Sequence, residues 1–516
     1  MKGFWFLILA IVSVYIFTGF NFKSADKISV STTEGVVVGE KHGHSFVFKG
    51  IPYATPPIGA LRFKPPQRHA RWKTPLQANA YGEKCLQIPA MTWRRKIEGS
   101  EDCLYLNVWQ PTASGAKPLP VMIFIHGGGN FFGSGSDSIL GGELYNGQYL
   151  AENGPAVVVN INYRLGPMGF LAHPALSRES GYGGSGNYAI MDQIAAIQWV
   201  KENAAAFGGD ASNMTVFGQS AGGIDISILL ASPLAHGLFA KAILESALMT
   251  DYPLSQTEAN GVKLSTDLGC ETAANPAECL RALSGDKILS TAYTGDVRTS
   301  FQSAPTIDGR VLTQPVIDTL RNGNSIPLII GSNADELTTF GTLIGTDKVT
   351  TPALYAEKIN QFYGPNGASV LAVYPPPSQN SDLRNATEVL LGDDLFHCNA
   401  RRIARAVAGS APVWRYVFSH ISDNFLMASY RAGHTFELLY IFHSHELFMS
   451  KREVTLANTM SRYWLNFAET GNPNSQSQPT WTAFQKDEIL NFDIKIADEK
   501  GFRDKNCDFW DSLNEK

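Results

Sequence analysis

"TVFGQSAGG", residues 215–223, places one serine between two glycines, after a short apolar run and before helix-compatible sequence. Gly218-Gln219-Ser220-Ala221-Gly222 fits G-x-S-x-G, a pattern that needs a strand before it and a helix after it. The physical reason is crowding. A serine on a tight strand-to-helix turn takes a strained backbone conformation, and small neighbours at 218 and 222 let the chain turn that sharply while exposing the hydroxyl. The same turn sets the N–H of Ala221 at a helix N-terminus, where it is placed to donate to a developing oxyanion. An ordinary glycine-rich turn with an incidental serine matches the string equally well, so the rest of the chain has to discriminate.

Upstream, the strand-like "VMIFI" at 121–125 runs into His126-Gly127-Gly128-Gly129. A glycine run there lets backbone N–H groups point into a site with no side chain in the way, making Gly128 and Gly129 candidate oxyanion donors. A flexible turn is the plain alternative. Similar apolar, β-branched runs recur at 156–166 (AVVVNINYRLG), 241–247 (KAILESA), 326–336 (IPLIIGSNADE) and 413–418 (VWRYVF). Between them, 188–207 (YAIMDQIAAIQWVKENAAAF) spaces its apolar residues as a helix does. This alternation predicts an α/β fold, a central mostly parallel sheet flanked by helices. Residues 35–54 (GVVVGEKHGHSFVFKGIPYA) read as a hairpin, an antiparallel N-terminal addition at the sheet edge. No linker, repeat or low-complexity segment divides the chain, so 26–516 is expected to be a single domain.

A serine hydroxyl is a poor nucleophile at neutral pH and needs a histidine base, itself oriented by a carboxylate. In α/β-hydrolases the acid follows the serine and the histidine comes last, which moves the search to 326–336 and beyond. Glu336 ends that run beside Asp335, and His434 lies in "AGHTFELLYIF" after the 413–418 run, with His443 and His445 as alternatives.

The 516 residues are 44% hydrophobic with a net charge of −5, material for a large core rather than a disordered chain. The basic residues form no stripe beyond "WRRK" at 93–96, so nucleic-acid binding has no electrostatic footprint. The start has one early lysine and an apolar run from Phe4 to Phe17, which makes 1–25 a secretory signal or, as the alternative, an uncleaved N-terminal anchor. Export is therefore expected, with membrane contact only in the second case. Six cysteines in an exported chain fit disulfides better than metal ligands. Cys85 and Cys103 bracket one loop, Cys270 and Cys279 another, while Cys398 and Cys507 stand far apart, and none has CxxC zinc spacing.

Together these residues resemble the type-B carboxylesterase and cholinesterase family of α/β-hydrolases, over nearly the whole chain after about Lys27. "SEDCLYLNVW" at 100–109 and "FGGDASNMTVFGQSAGG" at 207–223 are similar to the family's two signature stretches, with "INYRLGPMGFL" and "GNYAIMDQIAAIQWV" matching between them. The resemblance implies Ser220 as nucleophile, Glu336 as triad acid, His434 as base, and Gly128, Gly129 and Ala221 as the oxyanion hole. It implies bridges Cys85–Cys103, Cys270–Cys279 and a cholinesterase-like long-range Cys398–Cys507, a small-molecule ester substrate, and no metal or organic cofactor.

Four positions bear on the substrate. Trp93 stands where the family tryptophan holds a quaternary ammonium by cation–π attraction. Against a choline ester, Gln219 replaces the glutamate that cholinesterases place before the nucleophile, and Thr339 stands where they place an aromatic after the acid. Arg94, Arg95 and Lys96 would also repel a cation if they faced the gorge. Asn130 follows the glycine triplet where an aromatic or apolar residue is common. The expectation is a serine carboxylic-ester hydrolase acting on short to medium acyl esters. A choline-ester hydrolase is the first alternative, and a non-catalytic adhesion or binding protein on the same scaffold is the second.

Overall fold

The computed structural model describes residues 26–89, 96–113, 115, 117–139, 141–293, 301–323, 326–377 and 382–514; the segment 1–25 and Trp93, with Arg94 and Arg95, lie outside them. The main sheet takes β1 (Lys27–Ser31), β2 (Val36–His42), β3 (Ser45–Pro52), β4 (Tyr105–Pro111), β5 (Leu119–Ile125), β6 (Val157–Ile161), β7 (Gly209–Gln219), β8 (Lys241–Glu245), β9 (Leu328–Asn333), β10 (Val413–Phe418), β11 (Glu488–Phe492) and β12 (Ala497–Lys500). Their spatial order is β1-β2-β3-β4-β6-β5-β7-β8-β9-β10-β11-β12, with the short Leu76–Gln77 beside β2. From β6 through β11 every neighbour is parallel. The hairpin of β2 and β3 turns at Gly43, whose φ of 58° suits a glycine, and joins β1 and β4 as the antiparallel end. At the opposite edge β12 runs antiparallel to β11.

Strand periodicity sorts the side chains into two cores. On β5, Val121, Ile123 and Ile125 face one core while Met122 and Phe124 face the other; on β6, Val157, Val159 and Ile161 oppose Val158. The first core is closed by α1 (Tyr188–Asn203), α2 (Ala221–Ala231) and α3 (Cys398–Val407), through residues such as Ile194, Ile226 and Ile403. The second is closed by α4 (Lys451–Thr470), whose Met460, Trp464 and Phe467 lie on one face at helical spacing. Both faces of the parallel strands are therefore covered, which is why they read as unbroken apolar runs.

Two helical stretches interrupt this plan. Leu254–Asp267, Pro276–Ala282 and Gly285–Ala292 follow β8; Pro352–Tyr363, Gly367–Val373 and Leu383–Gly392 follow β9. The second group packs with Leu337, Phe396 and Trp510 of α5 (Asp504–Asn514) into a separate small core. Disulfides join Cys85 to Cys103, Cys270 to Cys279, and Cys398 on α3 to Cys507 on α5. Among the described residues no helix is long and apolar enough to cross a membrane.

Candidate active site

Ser220 sits between the end of β7 and the start of α2 with φ 57° and ψ −122°, a conformation that costs a non-glycine residue energy. Tight bonds hold it there: its N–H donates to the Glu245 carbonyl on β8 at 2.8 Å, and its carbonyl accepts the Ile224 N–H at 2.9 Å. The flanking glycines are required sterically. A Cβ on Gly218 would lie 2.6 Å from the Ile125 carbonyl, and one on Gly222 would collide with the same oxygen. The elbow is thus pressed onto the end of β5, where the glycine loop begins.

That loop touches the elbow directly, since a Cβ on Gly127 would come within 2.7 Å of the Gln219 carbonyl and 3.0 Å of Ser220 Cβ. Gly128 (φ 108°) and Gly129 (φ 59°) take left-handed conformations, and the Gly128 carbonyl accepts the N–H groups of Phe131 and Phe132 at 3.1 Å each. Ala221, the first residue of α2, has no intrahelical acceptor for its N–H.

Glu336 follows β9 and His434 follows the neighbouring β10, and their side chains meet. Glu336 is 1% exposed; its Oε1 accepts the Asn333 N–H at 2.7 Å and its Oε2 lies 2.5 Å from His434 Nδ1. The His434 N–H also donates to the Glu336 carbonyl at 3.2 Å. A carboxylate only accepts, so Nδ1 carries the proton and Nε2 presents its lone pair. That lone pair is 3.1 Å from Gln219 Nε2, which donates to it. No hydrogen bond from the Ser220 hydroxyl to His434 forms among the described residues. The His434 ring is flanked by Phe340 at 5.2 Å, edge-on, and Phe396 at 5.0 Å. Thr339 donates its hydroxyl to the His434 carbonyl at 3.2 Å.

The alternatives lie elsewhere. Asp335 pairs with Arg431 at 3.0 Å, His443 stacks on Tyr149, and His445 Nε2 faces the Ile139 carbonyl. Asn130 is buried, and its Nδ2 donates to Asp225 Oδ1 at 3.0 Å.

Three buried carboxyls near the elbow were not singled out by the sequence reading. Glu245 accepts from the Trp464 indole at 2.7 Å, and burial pushes its carboxyl up to about 8. Glu437 bonds Asn333 Nδ2 and is raised well above the usual range by burial, then by the charges of Glu245 and Glu336. Asp225, on α2, is pushed up to about 7 by burial against the bonds from Asn130 and Gln193. One signal was available: a lone acid inside the apolar helix "AGGIDISILLA" behind the serine. Among the described residues, no group of three His, Cys, Asp or Glu side chains is arranged to hold a metal ion.

A family model described as "Carboxylesterase family" matches residues 26–510. The fumonisin B1 esterase of Sphingopyxis macrogoltabida is 35% identical over 496 residues, covering 92% of this chain and 88% of that protein. The para-nitrobenzyl esterase of Bacillus subtilis is 35% identical over 489 residues, covering 91% and 96%. A solved PNB esterase structure superposes with a TM-score of 0.81 at 33% identity, covering 93% of this chain and 99% of its own. With that match over nearly its whole length and the same α/β-hydrolase fold, the chain belongs to the carboxylesterase family and is a carboxylic-ester hydrolase.

Proposed function

We propose that the enzyme cleaves esters through an acyl-enzyme on Ser220, with His434 as general base and acid and Glu336 as its orienting carboxylate. The observation that carries this reading is the buried 2.5 Å contact between Glu336 and His434 beside the strained elbow. Ser220 Oγ attacks the ester carbonyl and passes its proton to His434 Nε2. The oxyanion rests on the N–H groups of Gly128, Gly129 and Ala221, and the imidazolium then protonates the leaving alcohol. Water repeats the sequence and releases the acid. Glu336 stays ionised throughout and stabilises the imidazolium. For the proton to move, Nε2 must exchange the Gln219 amide for the serine hydroxyl.

Phe131, Phe340 and Phe396 around the loop and the base offer apolar walls, which support short to medium acyl esters. The relatives named for para-nitrobenzyl and fumonisin esters support small-molecule substrates. Three disulfides support an exported enzyme. Ser220→Ala, assayed on p-nitrophenyl esters from acetate to laurate, is expected to lose at least about 1,000-fold in kcat with an unchanged melting temperature. Wild-type turnover in that variant would refute the assignment.

A further inference from the structure

The proposed oxyanion hole is built from two separate pieces of chain: the glycine loop after β5 supplies two donors, and the first turn of α2 supplies the third. Their relative placement sets whether all three reach one oxygen. The loop's next residue, Asn130, stands in the left-handed region at φ 62°, which asparagine tolerates better than most side chains. Its amide is committed at both ends. Nδ2 donates to Asp225 Oδ1 at 3.0 Å, and Oδ1 takes a weaker, shared bond at 3.3 Å from the Tyr163 hydroxyl, which donates mainly to the His126 carbonyl at 2.7 Å. The backbone carbonyl of Asn130 also accepts the Gly166 N–H at 2.7 Å. Asp225 lies four residues beyond Ala221, one turn along α2 and on the same helix face. Its second oxygen accepts from Gln193 Nε2 on α1 at 2.5 Å, and Gln193 in turn leaves its Oε1 without a protein partner. Asn130 and Asp225 are both fully buried, so this is a dry contact whose loss water cannot readily replace.

Resting on the reading of Gly128, Gly129 and Ala221 as the oxyanion hole, we propose that Asn130 and Asp225 are a positioning pair that holds the glycine loop and the α2 N-terminus in register. Neither touches substrate. Asn130 acts through the two glycines immediately before it, and Asp225 through the helix turn that presents Ala221. The bond joins the two sources of donors behind the oxygen they are to bind, so cutting it lets the loop drift. A displacement of about 1 Å is enough to cost some 100-fold in rate.

The test compares Asn130→Ala, Asp225→Ala and Asp225→Asn with wild type and Ser220→Ala, using p-nitrophenyl acetate. Sites are counted by the acylation burst, so that misfolded protein does not lower the rate. Asn130→Ala and Asp225→Ala are expected to lower kcat per titrated site about 10- to 100-fold, with KM changing less than about threefold. Their affinity for a trifluoromethyl ketone, which forms the tetrahedral oxyanion, should fall in parallel with kcat/KM. Asp225→Asn should stay within about threefold of wild type, because Oδ1 still accepts from Asn130 and the Gln193 amide turns to offer its oxygen. Unchanged kcat per site in Asn130→Ala, or Asp225→Asn as damaged as Asp225→Ala, would overturn the proposal. Activity surviving in Ser220→Ala would instead overturn the catalytic reading beneath it.

Discussion

At His434 the nitrogen that takes the serine's proton in the proposed mechanism already holds a hydrogen bond, from Gln219 Nε2 at 3.1 Å. The uncharged amide suits this place because it donates to neutral imidazole without favouring its protonation. A carboxylate there would do the opposite, accepting from Nε2–H and stabilising the imidazolium. In Gln219→Glu the acid limb of the kcat/KM profile is therefore expected to move up by about one pH unit, since the base must lose its proton to work. An unmoved limb would place residue 219 away from the base in solution. The sequence pointed to Ser220, Glu336 and His434 as the proposed triad, through the elbow and the family-like stretches around each, and the fold brings Glu336 and His434 into contact. It did not make Gln219's contact legible, because that amide and His434 are 215 positions apart and are brought together only by the fold. For the same reason it left Asn130 as a possible substrate contact, whereas the side chain is turned onto Asp225, 95 residues away.

The elements that carry the site were the readable ones. The strands at β5 through β10 are buried on both faces and so appear as apolar runs, and their C-terminal ends hold the glycine loop, the serine and the acid. The edge strand β12, "ADEK", has no buried residue and hence no pattern to read. The helical stretch after β9 was equally hidden, since its apolar residues pack in a satellite core that the sheet pattern does not foretell. The elbow offers the sharpest test at this scale. Alanine normally stabilises a helix over glycine by about 1 kcal/mol. In Gly222→Ala that sign is expected to reverse, because the new Cβ meets the Ile125 carbonyl and has to displace either β5 or α2. A loss of about 2–4 kcal/mol in denaturant unfolding, with kcat reduced at least tenfold, is the expected outcome. A neutral or stabilising effect would mean that the helix does not press on the strand.

The molecule as a whole holds two sets of carboxyls that respond to pH in opposite directions. Glu488 is half-buried and held down near 2 by the N–H groups of Lys486 and Gln485, so its contribution is present above its unfolded value and lost as acid is added. Glu245 and Asp225 are buried and raised, to about 8 and about 7. A raised acid binds its proton more tightly when folded, so its stabilisation is full below the unfolded value near 4 and lost as pH climbs through 7 to 8. Glu437, raised in the same direction and coupled to Glu245, adds to the loss. Stability should therefore peak at about pH 4.5, decline as pH climbs to about 8 and level off beyond it, even though the net charge of −5 is modest. Glu245→Gln isolates the effect, because its amide oxygen still accepts from the Trp464 indole. This variant is expected to unfold at higher denaturant than wild type at pH 9, by on the order of 2–4 kcal/mol, and to converge with it near pH 5. It should also ease the ionisation of Glu437, leaving a shallower residual slope. Parallel pH profiles for the two proteins would show instead that Glu245 is solvated and charged in the folded protein.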